Sequence, residues 1–183
     1  MRIARLDRRV VFPGLAALLV VAWAVHEDAD TQRTLLGCVL GWSLLALAWI
    51  DWTTFRLPDA LTLPLLCIGV AVAWLDSPAT FQSSLLGAAA GYGAFFAVRV
   101  FYQMARGREG IGRGDAKLLA AGGAWLGWQA LPWVVLLAAL LGLLLALFHH
   151  ARGIRLTAET ALPFGPSLAF AIWLIWIYGV PVE

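Results

Sequence analysis

Charged residues are scarce in this sequence. They make up 13% of its 183 residues, about half the share of a typical soluble domain, while 62% are hydrophobic and the mean hydropathy is +0.83. These values exclude an ordinary soluble globular domain and predict that lipid surrounds most of the chain. The formal net charge is only +2 and no basic stripe with interleaved polar residues occurs. We therefore expect no nucleic-acid partner.

Cysteine is almost absent. The two cysteines, Cys38 and Cys67, stand alone inside apolar runs, where they cannot form a CxxC metal clip. The adjacent His149 and His150 have no neighbouring cysteine or carboxylate cluster that would complete a metal site. We expect neither a metal nor a cofactor.

The apolar residues form seven runs, separated by charged or by Gly- and Pro-containing breaks. The runs lie near residues 11–25, 34–50, 60–75, 81–104, 116–129, 132–148 and 162–180. Because a membrane-spanning helix needs about 20 apolar residues, they predict an all-α, polytopic transmembrane bundle of about seven helices, in one domain over residues 1–183. The fifth helix would rise only about 21 Å against a hydrocarbon core of about 30 Å, so its neighbours must shelter it.

Lysine and arginine predict the orientation of these helices, because cytoplasmic loops hold an excess of both. With the N-terminus inside, most of the basic residues fall on one side: Arg2, Arg5, Arg8, Arg9, Arg56, Arg106, Arg108, Arg113, Lys117, Arg152 and Arg155. Arg33 falls outside, in a loop with three carboxylates. We predict a multi-pass protein of the cell inner (plasma) membrane with the basic side in the cytoplasm.

The first run, 11–25, also fits a secretory signal. It has a basic start, an apolar stretch and the A-x-A pattern of Ala22-Trp23-Ala24. Cleavage after Ala24 would leave the orientation of the later helices unchanged. Both interpretations stay open.

Three pairs of glycines have the small-xxx-small spacing that lets helix backbones approach closely in lipid: Gly37/Gly41, Gly87/Gly91 and Gly123/Gly127.

Two carboxylates stand at the boundaries of apolar runs. Asp51 ends the second run directly after Ile50, and Asp115 opens the fifth directly before Ala116. The charge-derived orientation places both at the cytoplasmic boundary, where an acidic group near membrane depth tends to be functional. Peptide hydrolysis needs a base for the attacking water and an acid for the leaving amine, and two carboxylates sharing a proton supply both. Asp51 and Asp115, two carboxylates at one depth, meet that need.

Other polar and glycine residues flank these carboxylates. Gly112 and Gly114 allow the close backbone approach that an extended substrate requires. Lys117 follows Asp115 closely and could contact substrate, although anchoring at the inner face is the default explanation. Asp59 follows Pro58, and we predict that it caps the next helix by accepting a hydrogen bond from the amide of Leu61 or Thr62.

Two segments resemble the signature regions of a known family. Asp51 begins DWTTFRLPDALTLP and Gly112 begins GRGDAKLLAAGGAWLGW, which are similar to the motifs of prepilin (type IV leader) peptidases, GxGD-type intramembrane aspartyl proteases. A third segment, Pro163–Pro166, is similar to the PFGP found before the last helix of such proteins. The resemblance covers roughly residues 34–180.

The resemblance implies an aspartic endopeptidase that removes leaders from type IV prepilins or type II secretion pseudopilins at the cytoplasmic membrane face. It implies that Asp51 and Asp115 are the catalytic pair, with support from five motif residues: Gly112, Gly114, Lys117, Pro58 and Asp59. The implied cleavage follows a glycine and precedes a hydrophobic residue. The implied substrate has a basic leader followed by a hydrophobic helix that lies in the lipid bilayer.

One feature departs from the family pattern. Many members carry paired CxxC motifs, associated with N-methylation of the product, in a domain between their first two helices. This sequence has only about eight residues there and no CxxC. It resembles a peptidase-only variant, and we do not expect N-methyltransferase activity.

Two other functions fit parts of the sequence. A proton-coupled transporter also uses acidic residues in a membrane, but usually at the midplane and with internal repeats. A catalytically silent subunit of a pilus or secretion system would share the fold. Cleavage of a model prepilin by the purified protein separates both from a protease.

Overall fold

A computed structural model describes residues 31–106, 112–152 and 163–180, together with Ala22. These ranges contain six α-helices: α1 (Thr31–Thr54), α2 (Asp59–Asp76), α3 (Pro78–Arg106), α4 (Arg113–Leu126), α5 (Leu131–Ala151) and α6 (Gly165–Tyr178). A short 3₁₀ turn, Trp128–Ala130, joins α4 to α5. The described ranges hold no strand, and the all-α prediction is confirmed.

The six helices correspond to the second to seventh predicted runs. The first run, 11–25, and its signal-like pattern lie outside the described residues apart from Ala22. Each helix boundary lies one to four residues from the end of its predicted run. The second helix continues past Ile50 to Thr54, and the fifth ends at Leu126 because Gly127 leaves the helical conformation with φ +81°.

Within the described ranges, four helices are long and apolar enough to cross a membrane. They are Thr31–Thr54, Asp59–Asp76, Pro78–Met104 and Trp128–Ala151, and α6 is a shorter apolar helix. Large hydrophobic side chains such as Leu144 and Phe101 lie exposed on the outside of the bundle. Lipid is the surrounding that accommodates such side chains, as expected of a membrane protein.

The short helix α4 occupies the centre of the bundle. Every residue from 118 to 125 is buried, and α4 packs against α2, α3 and α6. A helix that is buried on all sides belongs to a core and has no face for the surroundings. The prediction that this helix needs shelter is confirmed.

Glycines bring α3 and α4 into close contact. A Cβ atom on Gly87 would overlap the backbone carbonyl of Gly123, and one on Gly123 would overlap that of Gly87. At Gly91 an added Cβ would lie 2.7 Å from the carbonyl oxygen of Leu119. The Gly87/Gly91 pair therefore packs as its spacing predicts.

The helix directions gather three aspartates at one end of the bundle. α1 and α6 are antiparallel, since Asp51 lies beside Gly165 while Arg33, near the other end of α1, contacts Trp176. α2 and α4 begin at the same end, where Asp59 contacts Lys117. We call this end, with Asp51, Asp59 and Asp115, the acidic end.

Candidate active site

Asp51 lies inside the last turn of α1 and is buried, with 6% of its surface exposed. Its Oδ2 accepts a hydrogen bond of 3.0 Å from the backbone amide of Gly165. A buried carboxylate needs such partners, because removing a charge from water is costly. The structure thus holds this predicted catalytic side chain in a defined place.

The start of α6 supplies the amide that Asp51 binds. The first amides of a helix have no acceptor within the helix, and Pro166 contributes none because its nitrogen carries no hydrogen. The amide of Gly165 is consequently available, and it points to Asp51. Gly165 also leaves room for the carboxylate, since an added Cβ would lie 2.6 Å from Oδ2 and 2.9 Å from Cγ of Asp51.

Asp115 lies in the first turn of α4 and is half-buried. The backbone of Gly112 hydrogen-bonds to its carboxylate, and the charge of Asp51 acts on it electrostatically. A helix N-terminus stabilises a negative charge, so this position suits a carboxylate. Two acidic side chains from separate helices, α1 and α4, therefore lie close enough to influence each other.

A short loop ties the helix of Asp51 to the segment before Asp115. Phe55 ends α1 in the left-handed region, with φ 53°, and its amide donates to the carbonyl of Asp51 at 2.8 Å. The loop then brings Leu57 onto Gly114, where an added Cβ would lie 2.7 Å from the Cβ of Leu57. Leu57 thus fills the space that the missing side chain of Gly114 leaves, and the predicted role of Gly114 beside a substrate stays a prediction. Gly112 has an exposed surface and keeps its predicted role as a proposal.

The predicted cap at Asp59 was wrong. Pro58 is the capping residue of α2, and its carbonyl oxygen accepts hydrogen bonds from the amides of Leu61 and Thr62, at 3.1 and 3.2 Å. The carboxylate of Asp59 instead forms an ion pair with Lys117, with 2.6 Å between Oδ1 and Nζ. Pro58, Asp59 and Lys117 thus join the start of α2 to the start of α4.

Sequence reasoning did not find two residues of this site, Gly165 and Leu57. We interpreted the PFGP segment as a helix entry, and it does begin α6, but its glycine also binds Asp51. A glycine directly before a proline at a helix start was the available signal, since it marks an amide without an acceptor in the helix. Leu57 had no signal, because its partner is remote in sequence.

The described residues contain no group of three histidine, cysteine or carboxylate side chains that could hold a metal ion. Within these ranges, His149 hydrogen-bonds through Nδ1 to the carbonyl oxygen of Leu145 at 2.8 Å, an intrahelical contact. The expectation of no metal stays a prediction.

The sequence of this chain matches a known protein family. The model of the type IV leader peptidase family matches residues 38–147, which include both aspartates and the glycines before Asp115. The match covers more than half of the chain, and the chain therefore belongs to the type IV leader peptidase family.

Several curated relatives are named prepilin leader peptidase/N-methyltransferase. The chain is similar to a prepilin leader peptidase/N-methyltransferase of Burkholderia pseudomallei (strain 1026b), with 47% identity over 91% of this chain and 54% of the relative. Proteins of the same name from Aeromonas hydrophila and Stutzerimonas stutzeri are 42% and 40% identical, over 90% and 96% of this chain and 56% and 61% of the relatives. The chain spans little more than half the length of these relatives. No solved structure matches it.

Proposed function

We propose that this protein is an intramembrane aspartic endopeptidase that removes the leader peptide of type IV prepilins or pseudopilins. The observation that carries the proposal is that Asp51 and Asp115 lie at the same end of the bundle, near enough for the charge of Asp51 to act on Asp115. One carboxylate is buried and held by a backbone amide, and its charge acts on the other. Family membership supports the same activity.

The two carboxylates supply the chemistry of peptide hydrolysis. The ionised member takes a proton from water as the water oxygen attacks the peptide carbonyl carbon. The protonated member then donates its proton to the amide nitrogen as the C–N bond breaks. The pair ends the cycle with one proton, as it began. In this mechanism Asp51 and Asp115 act as a unit that needs no metal.

The charge pattern and family membership support a cytoplasmic-face site in a multi-pass inner-membrane protein. Basic residues near the acidic end, such as Arg56 and Arg152, match the positive-inside rule. A prepilin would keep its basic leader in the cytoplasm and its hydrophobic helix in the bilayer. Its scissile bond, after a glycine and before a hydrophobic residue, would then reach the boundary at which the aspartates lie.

Incubation of the purified protein with a model prepilin tests the proposal. We expect two fragments whose masses place the cut after the glycine, and no cut with the Asp51→Asn variant. A cut elsewhere would refute the substrate assignment. An intact prepilin would favour a silent assembly subunit, and proton flux into liposomes without cleavage would favour a transporter. Methylation of the product is not part of this proposal.

The dependence of rate on pH tests the shared proton. The pair works only when one carboxyl is protonated and the other is ionised. The rate should therefore fall in acid, where both become protonated, and fall again at higher pH, where both become ionised. A rate that rises steadily from acidic to neutral pH would contradict a shared proton. Chelators should leave the activity intact, and loss in EDTA with recovery on added zinc would overturn the aspartic assignment.

A further inference from the structure

We propose that Gly165 is a positioning residue for Asp51, and that the start of α6 sets the direction in which this carboxylate faces. The catalytic part of this proposal rests on the proposed function above. The contact between Gly165 and Asp51 is a separate matter and can be tested without any substrate.

A hydrogen bond fixes the rotation of the Asp51 carboxylate. The amide of Gly165 donates to Oδ2 at 3.0 Å, in a buried setting where competing water is scarce. Bonds between a backbone amide and a charged acceptor are stronger than neutral ones. With Oδ2 engaged by α6, Oδ1 is the oxygen available to water and to the shared proton. Side-chain rotation in Asp51 would lose this bond.

The lack of space between residue 165 and Asp51 makes glycine necessary at this position. The φ of Gly165 is not positive, since Gly127 and Gly179 are the positive-φ glycines among the described residues. Backbone conformation therefore does not require glycine here. The nearest atoms to an added Cβ are Oδ2 at 2.6 Å, Cγ at 2.9 Å and Cβ at 3.1 Å, all of Asp51. A methyl group at residue 165 would push the carboxylate out of its place.

The amide can act as a fixed reference because α6 is firmly packed. Leu168 and Ile172 are fully buried in the core, and Trp173 is nearly so. The residue before Gly165, Phe164, contacts the ring of Phe95 on α3, with 6.1 Å between ring centroids. The start of α6 therefore cannot follow the carboxylate if the side chain moves. Because α6 is held by close packing, a clash between residue 165 and Asp51 displaces the side chain of Asp51 and not the helix.

Kinetics of the Gly165→Ala variant test the positioning role. Misplacement of a reacting group by about 1 Å can lower a rate about 100-fold, so we expect kcat to fall by about that factor with KM unchanged. Gly142→Ala is the matched control, because its Cβ would meet only ordinary contacts, such as Phe164 Cδ2 at 3.7 Å. The proposal is overturned if Gly165→Ala cleaves at the rate of Gly142→Ala, or if it raises KM with kcat unchanged.

A double-mutant cycle in thermal unfolding tests the contact itself. Gly165→Ala should lower the Tm of the wild-type protein, because the added methyl meets the carboxylate. In an Asp51→Ala background the atoms at 2.6 and 2.9 Å are gone and only Cβ remains, so most of this loss should disappear. An equal loss in both backgrounds would overturn the proposed contact. If the wild type cleaves no prepilin while the cycle shows coupling, the proposed function fails and the contact stands.

Discussion

The burial of helices α4 and α5 is the reverse of that in a soluble protein, because the more hydrophobic helix is the more exposed one. α5 is a leucine-rich helix, yet its buried residues are only Leu131, Val134 and Ala138, and Leu143 is 66% exposed. α4 is shorter and rich in alanine and glycine, and its middle is buried on all sides. In lipid an exposed leucine has no penalty, whereas small residues allow backbones to touch. Between these two helices, burial therefore follows the content of glycine and alanine more closely than hydrophobicity.

The first prediction concerns the acidic start of α4, which has no counterpart on α5. Asp115→Asn and, on α1, Asp51→Asn keep the side-chain shape but remove the proton exchange. Each alone should abolish detectable cleavage, while thermal unfolding shows a folded protein. Asp59→Asn is the control. It weakens a partly exposed ion pair with Lys117, worth about 0.2–1 kcal/mol, and should retain activity. A folded but inactive Asp59→Asn variant would place Asp59 in the active site.

The second prediction compares a glycine of each helix. Gly123→Ala on α4 sets a methyl group against the backbone of Gly87, which cannot move without shifting α3, so we expect a loss of about 3 kcal/mol or more. Gly142→Ala on α5 meets no such obstacle and should stabilise its helix by about 0.5–1 kcal/mol. Unfolding in detergent measures both. Similar effects of the two substitutions would contradict the contrast between the helices.

The third prediction tests the polar contact between α3 and α4. The buried hydroxyl of Ser84 donates to the carbonyl oxygen of Ala124 at 2.7 Å. Interhelical hydrogen bonds in membranes contribute about 0.6 kcal/mol on average, so Ser84→Ala should lower the unfolding free energy by about that much. Ser43→Ala is a suitable control, because the Ser43 hydroxyl bonds to Val39 within its own helix. Equal losses would show that the interhelical contact adds nothing.

The smallest effect is expected on the outer surface of α5. Leu144 is 62% exposed, and Leu144→Ala removes side-chain atoms that lipid or detergent replaces. The unfolding free energy should change by no more than about 0.5 kcal/mol, as for surface substitutions in general. A loss of 2 kcal/mol or more, typical of a core leucine, would show that another surface covers this face.

Hydropathy alone predicted the six described helices, because a long apolar run is the sequence signal of a membrane helix. Hydropathy placed the end of the first of these helices at Ile50, one turn too early. The residues that extend the helix include Thr53 and Thr54, whose hydroxyls bond to carbonyl oxygens one turn back, at Trp49 and Ile50. Polar side chains that are satisfied in this way are tolerated within a helix, and hydropathy does not register them.

The errors at the site have a common physical cause. Asp at a helix start usually caps, but Pro58 already holds that position and Lys117 of another helix attracts the carboxylate of Asp59. The roles of Gly165 and Leu57 likewise depend on contacts between segments far apart in the chain. Local rules predict which residue types carry the chemistry. Local rules do not predict which group from a remote segment will bind those residues.

The length of α4 has a consequence for membrane insertion. Its 14 residues rise about 21 Å, against about 30 Å of hydrocarbon, so it is a poor substrate for lateral release from a translocon by itself. α3 leaves the ribosome first and offers the glycine surface on which α4 packs. We therefore expect the two helices to enter as a hairpin. α6 is synthesised later, so the start of α4 can approach α1 before the amide of Gly165 arrives. Under the proposed function, proteolytic competence would follow the synthesis of α6.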